Sequence, residues 1–164
     1  TRTTLNRFLD AMSGEAYKVF DINLRQHFYT MEVLKDSLVR CNILKLNDEE
    51  LVILSELLEL SEKSIEGKCW EMMKRFDLKV LILTCGVQGS YVFSGDTRSF
   101  LDTPHVKVVD TVGAGDSFTA AFCAAILKGK SMVEAHRLAV EVSAFVCGQA
   151  GAMPRLPEKL KGIL

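Results

Sequence analysis

The sequence predicts an α/β fold, a mostly parallel sheet with helices on both faces. Three observations predict it. Short apolar runs alternate with longer amphipathic ones, polar and glycine-rich residues follow the apolar runs, and 48% of the residues are hydrophobic, enough for a packed core. Along the chain, Leu5, Phe8, Leu9 and Met12 have helical spacing, closed by Gly14. Val19 to Leu24 reads as a strand, and Met31 to Val39 as a helix with apolar residues at 31, 33, 34, 38 and 39. Ile43 to Leu46 is a second strand. Asn47 then caps a run through Leu60, with Asp48, Glu49 and Glu50 in the first turn, where the helix dipole favours acids. Ser64 to Phe76 is a further helix, and Val80 to Thr84 a buried strand.

Tyr91 to Phe93 and Val106 to Val109 read as strands of a hairpin region, separated by the turn-forming Ser94-Gly95-Asp96. A helix from about Asp116 to Lys128 ends at Gly129. A last one begins at Ser131, with Glu134 completing a capping box, and runs to about Cys147. No repeat, low-complexity tract or long linker interrupts the pattern, so residues 1–164 read as a single partial α/β domain.

Twenty basic and 21 acidic residues leave the chain nearly neutral, which argues against a nucleic-acid grip. No apolar run approaches the roughly 18 residues of a membrane span, and no signal peptide is visible. The five cysteines are scattered, with no C-x-x-C spacing and no adjacent histidine, so free thiols in a reducing cytoplasm are expected. His27, His105 and His136 lack ligand spacing and are expected at the surface or at interfaces, while Trp70 is expected in the core. A chain opening at Thr1 without methionine is expected to be a truncated one.

In a parallel sheet, ligands bind at the carboxyl ends of the strands. Asp21 to Arg25, Asn47 to Glu50, Thr84 to Gly89 and Asp110 to Asp116 are all expected there. Asp110-Thr111-Val112-Gly113-Ala114-Gly115-Asp116-Ser117-Phe118 is the sharpest feature: small residues present backbone N–H groups at a helix start, where anionic oxygens can approach. A carboxylate at Asp116 would repel a phosphate unless it has work to do, such as taking a proton from an attacking hydroxyl. Phe118 stands where a dinucleotide fingerprint needs glycine, and no Gly-Lys-Ser/Thr of a P-loop is present. A plain strand-to-helix turn capped by Asp116 fits the same residues, and composition alone does not separate the two.

Asp110 to Phe118 resembles the second signature of the ribokinase-like (PfkB-type) carbohydrate kinases, Asp-Thr-Thr-Gly-Ala-Gly-Asp followed by a small residue and Phe. Other resemblances follow in family order: Asp21-Ile22-Asn23-Leu24-Arg25 to Asp-x-Asn-x-Arg, Asn47 to Glu50 to Asn-x-x-Glu, Thr84 to Gly89 to Thr-x-Gly-x-x-Gly, and Gly151-Ala152 with Pro154 and Pro157 to the closing segment. The chain is similar to the carboxyl-terminal half of such a kinase, with a fructokinase-like flavour around Val142 to Cys147; the amino-terminal part and lid are missing.

The resemblance implies ATP-dependent phosphoryl transfer to a sugar hydroxyl. Asp116 would be the general base, and the amides of Gly113, Ala114, Gly115 and Asp116 the anion hole. Thr84, Gly86 and Gly89 would line the nucleotide, and Arg25 would reach a phosphate. Asn47 and Glu50 would hold Mg²⁺ through its waters; by themselves these two residues fit an N-cap and a first-turn acid better. Asp110 would serve a monovalent cation. Val112 replaces the usual Thr, Val140 a frequent Asn, and Arg155 a small hydroxyl residue; the last makes K⁺ activation doubtful. Expected partners are a nucleotide and a small sugar, with a nucleoside acceptor still open, in a homo-oligomer of the full-length protein. The isolated chain is expected to be inactive or weak. A non-catalytic nucleotide-binding or regulatory module, and a purely structural α/β domain, are the competing readings.

Overall fold

The computed structural model describes residues 1–26 and 28–161, so His27 lies outside the described residues. In chain order the elements are α1 (Arg2–Ala11), β1 (Val19–Asp21), α2 (Met31–Arg40), β2 (Ile43–Asn47), α3 (Asp48–Leu57), α4 (Ile65–Arg75), β3 (Val80–Thr84), a 3-10 turn (Gly86–Gln88), β4 (Ser90–Ser94), β5 (Thr97–Leu101), α5 (Ala114–Leu127), α6 (Met132–Cys147) and α7 (Glu158–Lys161). The strands form one sheet in the order β1-β2-β3-β4-β5. The first three run parallel, with Val19 opposite Ile43 and Asn47 opposite Thr84. Only Gly95 and Asp96 join β4 to β5, a connection that antiparallel strands alone can make, so the sheet is mixed. No described helix is long and apolar enough to cross a membrane.

The chain divides into two compact units, Thr1–Thr84 with Phe93–Thr97, and Cys85–Val92 with Arg98–Leu164. In the first, β2 and β3 are buried along their length up to the last residue, because crossover helices cover such strands on both faces. Leu34, Leu38, Leu44, Leu54, Met72 and Leu81 form the core. Lys45 is the exception inside β2: it is buried and pairs with Asp21 on β1 at 2.8 Å. Thr30, Asn47 and Ser64 cap α2, α3 and α4 through their side-chain oxygens. Trp70, expected in the core, is half-buried and packs edge-on against Phe93 with centroids 5.0 Å apart. Helix α1 buries nothing and is held to α2 by polar pairs, Arg2–Glu32, Asn6–Asp36 and Asp10–Arg40.

In the second unit α5 packs on α6, and the buried Ala121, Ala125, Ala135 and Ala139 let their backbones approach. Ser131 and Glu134 form the expected capping box. Three expectations fail here. Val106 to Val109 form no strand; their side chains except that of Lys107 are exposed valines, and the N–H of Val109 bonds to the carbonyl of Cys147 at 2.8 Å. The partner of Tyr91 to Phe93 is instead Thr97–Leu101, hidden because the polar Ser99 occupies its buried position. Helix α5 begins at Ala114, two residues before the expected start, because Gly113 turns the chain with φ 81°. His136, expected at a surface or interface, is fully buried.

Candidate functional site

In the first unit the carboxyl ends of the parallel strands bring several motif residues together. Asn47 closes β2, and its side chain accepts from the N–H of Glu50 at 2.8 Å. The Glu50 carboxylate, buried, accepts in return from the N–H of Asn47 at 2.8 Å and from the N–H of Leu24, just beyond β1, at 3.0 Å. Glu50 therefore ties two strand ends to α3, and each oxygen retains room for one further donor. That suits the waters of a hydrated cation better than direct ligation, and the described residues contain no cluster of three acidic, histidine or cysteine side chains able to hold a metal. Thr84 lies beside Asn47 in register, its hydroxyl donating to the carbonyl of Leu46 at 3.5 Å. Arg25 is exposed. A groove of about 500 Å³ also opens in this unit, lined by Val52, Glu56, Leu60 and Lys68 among others, and contains none of the motif residues.

In the second unit the Thr84 to Gly89 motif continues as a 3-10 turn. The N–H of Cys85 bonds to the carbonyl of Gly89, and that of Gln88 to the carbonyl of Cys85, both at 2.9 Å. Gly86 has φ 53° and open space beside it, so its backbone is approachable. Gly89 is the opposite case: a Cβ there would stand 2.5 Å from the carbonyl oxygen of Leu101 and 2.9 Å from the Phe100 ring.

The Asp110 to Asp116 loop is closed by its first residue. One Asp110 oxygen accepts from the N–H of Val112 at 3.0 Å, the other from the N–H of Gly151 at 3.2 Å. These backbone donors, Val112 first, hold the Asp110 carboxyl below the usual carboxylate range. Gly113 admits no side chain, since a Cβ would meet the Ala152 carbonyl oxygen at 2.7 Å. No side chain caps α5 at this end. The hydroxyls of Ser117 and Ser143 both donate to the Ala114 carbonyl, at 2.9 and 3.0 Å, and pin the first turn. Gly115 and Asp116 are exposed on that turn. The arrangement offers an anion a helix start with no side-chain cap, although the N–H of Ala114 is already given to the carbonyl of Thr111 at 3.3 Å, and it places a carboxylate in the first turn.

Several participants escape sequence reading. Gly151 and Ala152 were legible as a closing segment, but not as the wall against Gly113 and the second clasp on Asp110. Leu24 contributes through its backbone alone, which leaves no signal in residue type. His136 sits between Ser90 at 2.8 Å (Nε2) and Ser99 at 2.9 Å (Nδ1), and burial pushes its pKa down to about 4.

Comparison with known proteins gives the family and the fold. The model of the pfkB family carbohydrate kinase matches residues 3–159. Fructokinase-1 of Oryza sativa subsp. japonica is 28% identical over 163 residues, covering 92% of this chain and 49% of that protein. Ribokinase of Thermotoga maritima superposes with a TM-score of 0.79 at 22% identity, over 98% of this chain and 52% of that one. A fructokinase of Vibrio cholerae O395, solved with fructose, ADP and calcium ion, superposes with a TM-score of 0.73 at 24% identity, over 89% of this chain and 50% of its own. The chain thus spans about half the length of these relatives, and the ribokinase fold is shared over that half.

Proposed function

The chain belongs to the pfkB family of carbohydrate kinases, and from that premise we propose that it supplies the nucleotide site, anion hole and catalytic base for ATP-dependent phosphorylation of a sugar hydroxyl. The observation that carries the reading is the start of α5, where Gly113 and Gly115 leave backbone amides without a side-chain cap and Asp116 stands in the first turn. In this reading Asp116 takes the proton of the acceptor hydroxyl as its oxygen attacks the terminal phosphorus. The bond to the bridging oxygen breaks and ADP leaves. The amides of Gly113 to Asp116 balance charge on the transferring group. Thr84, Gly86 and Gly89 line the nucleotide, and Arg25 reaches toward its phosphates.

A bound Mg²⁺ would neutralise phosphate charge, with Asn47 and Glu50 holding it through its waters. Asp110 closes its own loop, each oxygen accepting one backbone donor, and no step is routed through a monovalent cation. The named ligands of the Vibrio cholerae fructokinase support a nucleotide and a sugar as substrates. Calorimetric titration of MgATP into wild type and Asp116→Asn tests the reading. Binding in the micromolar to millimolar range, kept in the variant, is expected of a base reserved for chemistry. A folded wild-type chain that binds no nucleotide overturns it.

A further inference from the structure

The imidazole of His136 on α6 is fully buried between two hydroxyls, Ser90 Oγ at 2.8 Å from Nε2 and Ser99 Oγ at 2.9 Å from Nδ1. A neutral ring donates from one nitrogen and accepts at the other, so both serines are satisfied. Their places in the chain matter. Ser90 follows Gly89, the residue that ends the nucleotide loop, and Ser99 lies on β5 beside Phe100 and Leu101, which crowd Gly89. The ring lies near Phe118 of α5, two residues beyond Asp116, with centroids 6.0 Å apart and planes tilted by 58°. One side chain therefore touches β4, which follows the loop, β5, which crowds Gly89 at its end, and the helix that carries the base.

Three apolar side chains would fill this space without the cost of burying polar groups. Hydrogen bonds add direction: they hold Ser90 and Ser99 at a set distance and angle from α6, where apolar packing would let the hairpin slide. We propose that His136 is a positioning residue that sets the nucleotide loop against the start of α5, an inference that rests on the kinase reading above.

The test measures two things on the whole chain: the Kd for MgADP, and amide hydrogen exchange over Cys85 to Ser90. His136→Leu, which removes both hydrogen bonds, is expected to weaken MgADP binding about tenfold. It is also expected to speed exchange at Cys85 and Gln88, whose N–H groups close the loop, while α3 keeps its protection. His136→Gln, which can still reach Ser90, is expected to recover most of both. Unchanged loop exchange in both His136→Leu and Ser90→Ala overturns the proposal. If His136→Leu fails to fold, Ser90→Ala decides, since it removes the loop-side bond alone. A wild-type chain that binds no MgADP sinks the kinase reading, and the exchange measurement still decides the positioning claim.

Discussion

At the scale of single residues, geometry explains identities that composition leaves arbitrary. Gly113 is glycine because its φ of 81° and the Ala152 carbonyl leave no place for a side chain. Its motif was readable from sequence, but the wall behind it comes from residues nearly forty positions later. His136 was read as a surface or interfacial residue because the three histidines lack ligand spacing and residue type on a helix carries no sign of burial. Its two serine partners lie 46 and 37 positions away. Burial lowers its pKa from 6.5 to about 4, so the unfolded chain takes up the proton first as pH falls. The neutral ring's contribution to stability is intact above about pH 6.5, shrinks between 6.5 and 4, and is lost below that window. Urea unfolding of wild type and His136→Phe at pH 7 and pH 4.5 should show wild type losing roughly 2–3 kcal/mol relative to the variant. A difference that does not move with pH would contradict this.

At the scale of elements, helices were the most legible because period and caps agree. Ser131 with Glu134 forms the capping box that its spacing announces, and Asn47, expected as an N-cap, forms one with Glu50 as well. Strand β5 was missed because alternation looks for an apolar residue at the position Ser99 fills. Strand β2 shows the reverse problem, a lysine within an apolar run. Register solves it: Lys45 lies opposite Asp21, and their charges meet at 2.8 Å in a largely buried setting. Asp21→Ala would leave the Lys45 ammonium buried and unpaired, at a cost of roughly 3 kcal/mol. Adding Lys45→Met should restore most of that loss. Chemical denaturation of the single and double variants checks this, and a neutral Asp21→Ala would show that Lys45 finds water instead.

At the scale of the whole molecule, the chain spans 52% of the ribokinase with which it superposes. We expect it to bind nucleotide while turning over sugar at a rate at least about a hundredfold below the ~10 s⁻¹ typical of enzymes, since positioning of the acceptor contributes much of the rate. A coupled ADP-release assay with fructose and ribose checks this; turnover near that typical rate would overturn it. What the sequence by itself determined is the family and the order of elements apart from β5 and the 106–109 segment, because period, caps and short glycine motifs are local properties. The tertiary structure alone decided that Glu50 accepts from Leu24, that Asp110 clasps Gly151, that Ser99 belongs inside and that His136 is sealed from water. Each of those depends on contacts between residues far apart in the chain, and residue type along the chain does not encode distance in space.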